Sequence, residues 1–413
     1  MQHTRIYLIA GIMLVAGSLP AGAATMNITA SFTPSVNNPD NNTFTNTTPQ
    51  SGYCTTLPAQ CTSGIFSIAL PLTTTILNPI KANDIPRNNP YFGFPNKPRS
   101  LTVTNINSGE TADVTFRVSG FSSRYSANHG QSSWVNGSFI SPVKPCGYSG
   151  VSVGGSGWYQ FLWKVTTADG ACYKISTVDR TEPSRFYNMS IAYELATPDP
   201  LKMSAGVYEG SLSFNVGPGG DFDFGDNYQA SDTELTVNFT LSVNHELKLS
   251  VTADNQQVAL QPCASGKVCT AEQGAANWER WMINRITPEL TGRSQLSLSS
   301  SGAFTVYLQC EQQSGSDCAL RSDNTPSQTV PVQSLLTLPR GIVDSSTGSA
   351  VSKRRLATGR DLTKNVFVTK SFGENQAGSI DFLVSKKDVD TMLKTRPDTY
   401  RGAITVIFDP KIY

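Results

Sequence analysis

The sequence predicts an all-β protein built as two tandem β-sandwich domains, and three observations carry that expectation. Apolar residues recur at every second position in short runs such as SLTVTNI, ADVTFRVSGF, LTVNFTLSV, AFTVYLQC and SIDFLVS, each rich in Val, Phe, Ile and Thr. Such alternation describes strands with one buried and one wet face. Clusters of Gly, Asn, Ser and Pro separate the runs and supply turns. Many short strands joined by turns build antiparallel sandwiches, whereas a parallel α/β sheet needs a helix between strands.

In chain order, residues 1–24 have a basic start at Arg5, an apolar run from Ile6 to Ala16 and small residues at Ala21, Ala23 and Ala24. That is the layout of a secretory signal peptide, so an exported protein is expected. The remaining chain of about 390 residues is longer than one hydrophobic core usually serves, which suggests two domains. The first is expected over residues 25–216, opening with TMNITASF, whose Met26, Ile28, Ala30 and Phe32 alternate. This stretch reads as the first strand of domain one, the alternative being a free tail that adds to another molecule. GPGGDFDFGDNYQASD suits neither a strand core nor a helix, and places a solvated linker at residues 217–233. A second domain follows over 234–413, opening with TELTVNFTLSV. Only NWERWMINRI and SKKDVDTMLK read as helices, the latter with Ser385 as N-cap and Asp388 in its first turn.

Charge and cysteines exclude several classes. With 32 Lys and Arg against 31 Asp and Glu, the net charge of +1 gives no attraction to nucleic acid. The 8 cysteines fall into the local pairs Cys54/Cys61, Cys146/Cys172, Cys263/Cys269 and Cys310/Cys318. An even count in an exported chain implies disulfides, with the connectivity left open, and the spacings do not suit structural zinc. Asp221, Asp223 and Asp226 lie close together but break the spacing of a calcium loop, and no metal or other cofactor is expected. SKRRLATGR, in the second domain, reads as a solvated basic loop. One G-x-S-x-G occurs, GVSVG at Gly150 to Gly154, but the chain has only 3 histidines to serve as a base, so it is not expected to be an enzyme.

Two stretches echo each other. In VYEGSLSFNV, residues Tyr208, Gly210, Leu212, Phe214 and Val216 share one face of a strand; in TYRGAITVIF the same beat falls on Tyr400, Gly402, Ile404, Val406 and Phe408. Each closes a domain of similar length, which suggests two related sandwiches.

A Thr-, Ser- and Asn-rich β chain ending in a Tyr-x-Gly strand resembles a subunit of bacterial chaperone–usher pili. The two-domain layout is similar to that of the CfaE/CblD group of tip adhesins and minor pilins. The likeness rests on GVYEGSLSFNV, DTELTVNFTLSV and DTYRGAITVIFDP. It implies immunoglobulin-like sandwiches, the C-terminal one lacking a strand, with a groove beside Tyr400, Gly402, Ile404, Val406 and Phe408. A periplasmic chaperone would lend a strand there and grip the carboxylate of Tyr413. An outer-membrane usher and the adjacent pilin subunit would follow as partners, and the chain would pass through the periplasm to a place in a surface fimbrium, at its tip.

The resemblance also implies that the N-terminal domain binds a host glycan or protein receptor. Sugar sites combine an aromatic face with amide and guanidinium donors. Candidates are Arg124, Tyr125, His129 and Trp134 in SRYSANHGQSSWVNGS, and Arg180 and Arg185 in the separate stretch TVDRTEPSRF, which suit an anionic sugar. The group's paired arginine after the closing strand of domain one is not matched, since NVGPGGDF stands there. Three readings follow: a fimbrial tip adhesin, a structural minor pilin or assembly initiator without receptor binding, or a secreted carbohydrate-binding sandwich.

Overall fold

The computed structural model describes residues 24–61, 66–126, 133–155, 157–180, 185–361 and 363–410. The expected signal peptide, apart from its last residue, lies outside the described residues. As predicted, the chain is mostly β, with two separate hydrophobic cores, one drawing on residues from Ala24 to Val243 and the other on residues from Leu290 to Val389.

The strands that organise domain one are β1 (Ala24–Phe32), β2 (Arg99–Asn105), β3 (Thr111–Ser126), β4 (Cys146–Gly155), β5 (Trp158–Val165), β6 (Arg185–Ala196), β7 (Gly206–Asn215) and β8 (Glu234–Val243). They lie in one ten-stranded sheet whose main path runs β1-β8-β7-β2-β3-β6, with β5 joined to both β3 and β4. Aromatic rings fill the core: Phe92, Phe121, Phe139, Phe161, Trp163 and Phe186 are all 2% exposed or less. The Cys146–Cys172 disulfide is buried beside them, and Cys54–Cys61 closes a small loop.

The alternation of TMNITASF does what the sequence suggests. Met26, Ile28, Ala30 and Phe32 are buried, while Asn27 accepts a hydrogen bond from the Asn238 amide at 3.1 Å on the opposite face. The neighbour that β1 takes was not foreseen. It pairs parallel with β8, from Ala24 opposite Leu235 to Phe32 opposite Val243. On its other side β8 pairs antiparallel with β7 over the whole length of both. Leu235, Val237, Phe239, Leu241 and Val243 are each 0 to 1% exposed within the first core.

The expected boundary is therefore corrected. TELTVNFTLSV belongs to domain one, and residues 217–233 are not a solvated linker. Phe222, Phe224 and Tyr228 of that run are buried in the first core, and Tyr228–Ala230 pairs with Thr74–Ile76. Gly and Asp suggest solvent, but the two phenylalanines alternate with the aspartates and anchor the excursion. The crossing between domains is the short stretch 244–246.

Domain two begins with β9 (Leu247–Ser250) and continues through β10 (Glu289–Ser300), β11 (Ala303–Cys310), β12 (Asp317–Ser322), β13 (Thr329–Thr337), β14 (Ile342–Asp344), β15 (Val366–Thr369), β16 (Gly373–Val384), β17 (Tyr400–Arg401) and β18 (Ile404–Asp409). One sheet runs β9-β10-β16-β13-β12, with β17 beside β12; the other runs β14-β15-β11-β18. Disulfide Cys310–Cys318 ties β11 of one sheet to β12 of the other, and Cys263–Cys269 closes a loop. Both predicted helices are present. The first, α1 (Ala271–Asn284), starts earlier than predicted and opens with a Thr270/Gln273 capping box. The second, α2 (Lys386–Met392), is capped by Ser385, which accepts from the Asp388 amide at 3.3 Å.

His245 joins the two domains. Its Nε2 lies 2.9 Å from the Met203 carbonyl and its Nδ1 3.3 Å from the Ser301 hydroxyl. Its ring meets Phe32 edge-on at 5.7 Å. A carbonyl only accepts, so Nε2 carries the proton and Nδ1 accepts from Ser301. Burial lowers the pKa of His245 below its usual value. A second link runs from the Phe372 amide to the Pro39 carbonyl at 2.8 Å.

Two predictions follow from these contacts. A fragment of residues 25–216 lacks β8 and is expected to show no cooperative melt, whereas residues 25–246 melt cooperatively; a sharp transition in the shorter fragment would contradict the pairing of β8. Neutral His245 stabilises the native state fully above the ordinary histidine pKa of ~6.5. That contribution is lost as pH falls from there through the lowered folded value, so the melting temperature should drop as pH falls below ~6.5, and less in His245→Gln.

Candidate functional site

The terminal echo is part of one strand only in its first copy. β7 runs unbroken through Tyr208, Gly210, Leu212 and Phe214. In the second copy, β17 pairs with β12, opposite Arg321 and Ser322, while β18 pairs with β11 in the other sheet. The chain changes sheets at Gly402 and Ala403, where the Glu311 amide donates to the Ala403 carbonyl at 3.0 Å. The expectation that Tyr400 to Phe408 share one strand face is therefore corrected.

What the two copies share is chemical. The Tyr208 hydroxyl donates to the Ser204 carbonyl at 3.0 Å, and the Tyr400 hydroxyl lies 2.8 Å from the Thr395 hydroxyl. Each ring is thus tied to residues just upstream, and burial raises Tyr208 to about 12. A Cβ at Gly210 would stand 2.7 Å from the Thr102 carbonyl oxygen, and one at Gly402 2.8 Å from that of Ala319. Both glycines are required by a neighbouring backbone that leaves no room for a side chain.

Beyond the sheet switch, β18 is an edge. Its register on β11 runs from Ile404 opposite Cys310 to Asp409 opposite Thr305, and among the described residues no strand pairs with its other side. Ile404, Val406 and Phe408 pack against the second core yet remain half-buried. The Phe408 ring lies 5.9 Å from Phe304. A strand that turns core-type side chains inward while its backbone edge is open can accept another strand. Tyr413, the expected carboxylate anchor, lies outside the described residues.

The expected receptor residues divide into two groups. Tyr125, Trp134 and Arg180 come together inside the core, at 0%, 2% and 1% exposure. Tyr125 and Trp134 meet edge-on at 5.5 Å, and the Arg180 guanidinium lies 3.9 Å from the Trp134 ring. Arg180 donates to the Ser176 hydroxyl at 2.8 Å and the Ser133 carbonyl at 3.2 Å. These three residues hold the fold and are out of reach of a ligand, a correction to their expected role. The polar loop letters around them hide an inward-facing alternation of aromatic rings.

Arg124 and Arg185 instead lie at one end of the sheet, where Ser126 stands opposite both Arg185 and Trp158. The half-buried Arg124 guanidinium is sandwiched 3.9 Å from the Trp158 ring and 5.6 Å from Tyr187. Arg185 is exposed. His129 lies outside the described residues. Trp158 and Tyr187 were missed; their signal is that each is the strand neighbour of an inward aromatic, Tyr159 or Phe186, and so faces outward. Because β3 starts near the domain junction and is 16 residues long, this pole lies about 50 Å further out along the strand.

The acidic run has its own cations. Arg87 pairs with Asp223 at 2.9 Å and with Asp226 at 2.7 Å, and Arg99 pairs with Asp221. No cluster fit to hold a metal occurs among the described residues. SKRRLATGR is likewise not simply solvated. Arg354 meets Asp344 at 3.4 Å, Arg355 pairs with Asp317, and Arg360 meets Asp409 at 2.7 Å.

Asp226 is held below its ordinary pKa chiefly by the Arg87 hydrogen bond. Stability from this pair is present above the ordinary carboxylate pKa and lost as pH falls through the lowered one. Arg87→Ala is expected to return the Asp226 titration to the usual carboxylate range by carbon-detected NMR; an unchanged titration would contradict the pairing.

No family model matches the chain, and no curated protein does. Among solved structures, the chain is similar to CfaE, the adhesive subunit of the CFA/I fimbria of enterotoxigenic Escherichia coli. In a chaperone–tip adhesin complex the identity is 10% over 94% of this chain and 97% of that chain, with a TM-score of 0.26. In the crystal structure of CfaE it is 9% over 94% and 92%, with a TM-score of 0.25. A chaperone–tip adhesin complex of the archaic Csu pili of Acinetobacter baumannii gives 11% over 94% and 98%, with a TM-score of 0.19. The solved chains that this protein is similar to include the chaperone–usher tip adhesins CfaE and CsuE.

Proposed function

We propose that the chain is the adhesive tip subunit of a chaperone–usher pilus. Domain two accepts a strand along β18, first from a periplasmic chaperone at the outer-membrane usher and then from the adjacent pilin. Domain one binds a host glycan or protein receptor through the basic aromatic pole of Arg124, Trp158, Tyr187 and Arg185. The activity is binding and assembly without catalysis. One observation carries the reading: among the described residues β18 has an open edge, while β1 is buried in domain one. A subunit within a shaft needs both an acceptor edge and a free donor tail. Here β1 is locked between β8 and Thr45–Asn46, which supports a terminal position over a shaft subunit.

The receptor assignment rests on chemistry. A guanidinium held between two rings, with a second exposed arginine beside it, offers the donors and apolar faces that a sugar with an anionic group requires.

The experiment compares the native chain with one carrying a pilin donor strand fused after Tyr413 through a flexible linker. The native chain should aggregate unless made with its chaperone, and the fused chain should be a soluble monomer. A native chain that is soluble, monomeric and no less heat-stable than the fusion would contradict the acceptor role. On the fused protein, Arg124→Ala should reduce binding to immobilised host glycoproteins by about tenfold or more.

A further inference from the structure

We propose that the C-terminal end of α1 is the docking face for the folded body of the pilin whose strand lies along β18. The proposal rests on the acceptor role of domain two and adds a second contact surface to it.

The position of that body follows from the junction. Asp409, at one end of β18, lies opposite Thr305, only three residues from Gly302, which sits against the His245 ring. Domain one therefore occupies the space beyond that end. A strand lying along β18 has its folded body attached at one of its two ends, and only the Ile404 end is open. β10 runs from Glu289 towards Ser300 at the junction, so α1, which leads into the start of β10, stands at the same far end of domain two. Arg396, just before β17 and β18, reaches across to 5.7 Å from the Trp281 ring of α1.

The surface there is unusual for an exported domain. Met282, Ile283 and Ile286 are 56%, 87% and 69% exposed. Trp281 stacks edge-on against Trp278 at 5.4 Å, and Trp278 packs on the second core, so the patch has a rigid base. The helix ends at Arg285 with φ of 61°, where glycine is the usual residue, and its guanidinium lies 5.1 Å from the Trp281 ring. A cleft of about 190 Å³ opens beside the patch between Cys263, Asn277, Trp281 and Pro288.

Charge identifies the partner's chemistry. Arg280, Arg285, Lys386 and Arg396 are exposed around the patch, and among the described residues none has an acid within 4.0 Å. The nearby acids include Glu279 on the helix, Asp390, which accepts from the Thr287 hydroxyl, and Glu289, which accepts from the Ser265 hydroxyl and the Gly266 amide. An apolar centre of Trp, Met and Ile with an arginine rim has the composition of a protein interface. It fits an apolar pilin face bordered by carboxylates.

The test uses the full chain purified on its chaperone and two probes: the major pilin of its own pilus, and a synthetic peptide of that pilin's N-terminal extension. Ile283→Glu with Ile286→Glu should weaken capture of the whole pilin about tenfold and leave peptide uptake unchanged. Arg285→Glu with Arg396→Glu should act in the same direction, and wild-type capture of the pilin should weaken with salt. These side chains are exposed, so both variants should keep the wild-type melting temperature, which is checked first. Undiminished capture of the whole pilin by the isoleucine variant, or an equal loss of peptide uptake, overturns the docking face. If the patch instead mediates self-association that the variant abolishes, the occupant is a second copy and the proposal is wrong. Failure of wild type to take up even the peptide refutes the acceptor role itself.

Discussion

Backbone N–H and C=O groups along a strand must bond to another strand, to side chains or to water, and the two ends of this chain meet that requirement differently. The N-terminal strand β1 enters the sheet in parallel beside β8, and every alternate side chain of both is buried. Among the described residues the C-terminal strand β18 bonds on one side only, and its inward Ile404, Val406 and Phe408 remain half-buried. Apolar side chains that reach a core without being covered, beside an open edge, gain by the arrival of one more strand. On the proposed function, this open edge is where domain two takes up that strand.

The remaining features fall into line along the molecule. The arginine cage at Arg124 stands at the far pole of domain one, His245 couples the two domains in the middle, and the open edge leads away from the junction towards α1. A tip subunit of the kind proposed, binding at one end and anchored at the other, would transmit load through its middle. The short crossing, with Asn244 bonded to the Phe32 carbonyl at 2.9 Å and His245 bridging Met203 and Ser301, suits such a role better than a Gly-rich hinge. In this setting the paired aspartates of residues 217–233 are structural: Arg87 and Arg99 fix the excursion to domain one.

Much of this was legible because strand alternation is local. The inward faces of TMNITASF, VYEGSLSFNV and TELTVNFTLSV and both helices could be read from spacing, and the even cysteine count pointed to disulfides whose connectivity only the structure gives. Partner choice could not, because the β1–β8 pairing joins residues about 210 positions apart and leaves no mark on either strand. The misplaced boundary came from weighing Gly and Asp in GGDFDFGD above the period-two phenylalanines within it. Three of the receptor candidates failed for a related reason. Tyr125 and Trp134 read as part of a polar loop and Arg180 as part of TVDRTEPSRF, while the ring-lined core that buries them is assembled from distant strands. The Tyr-x-Gly echo carried real information, since both copies use the tyrosine hydroxyl and the absent Cβ alike, but alternation could not show that the second copy changes sheets at Gly402.

Hydrogen exchange at the backbone of β18 tests the central claim most directly, with the full chain released from its chaperone in the presence or absence of a pilin donor-strand peptide. The account predicts that β18 amides exchange rapidly without the peptide and become protected with it, while β1 amides stay protected throughout. Protection of β18 without any added strand, or rapid exchange along β1, would contradict it.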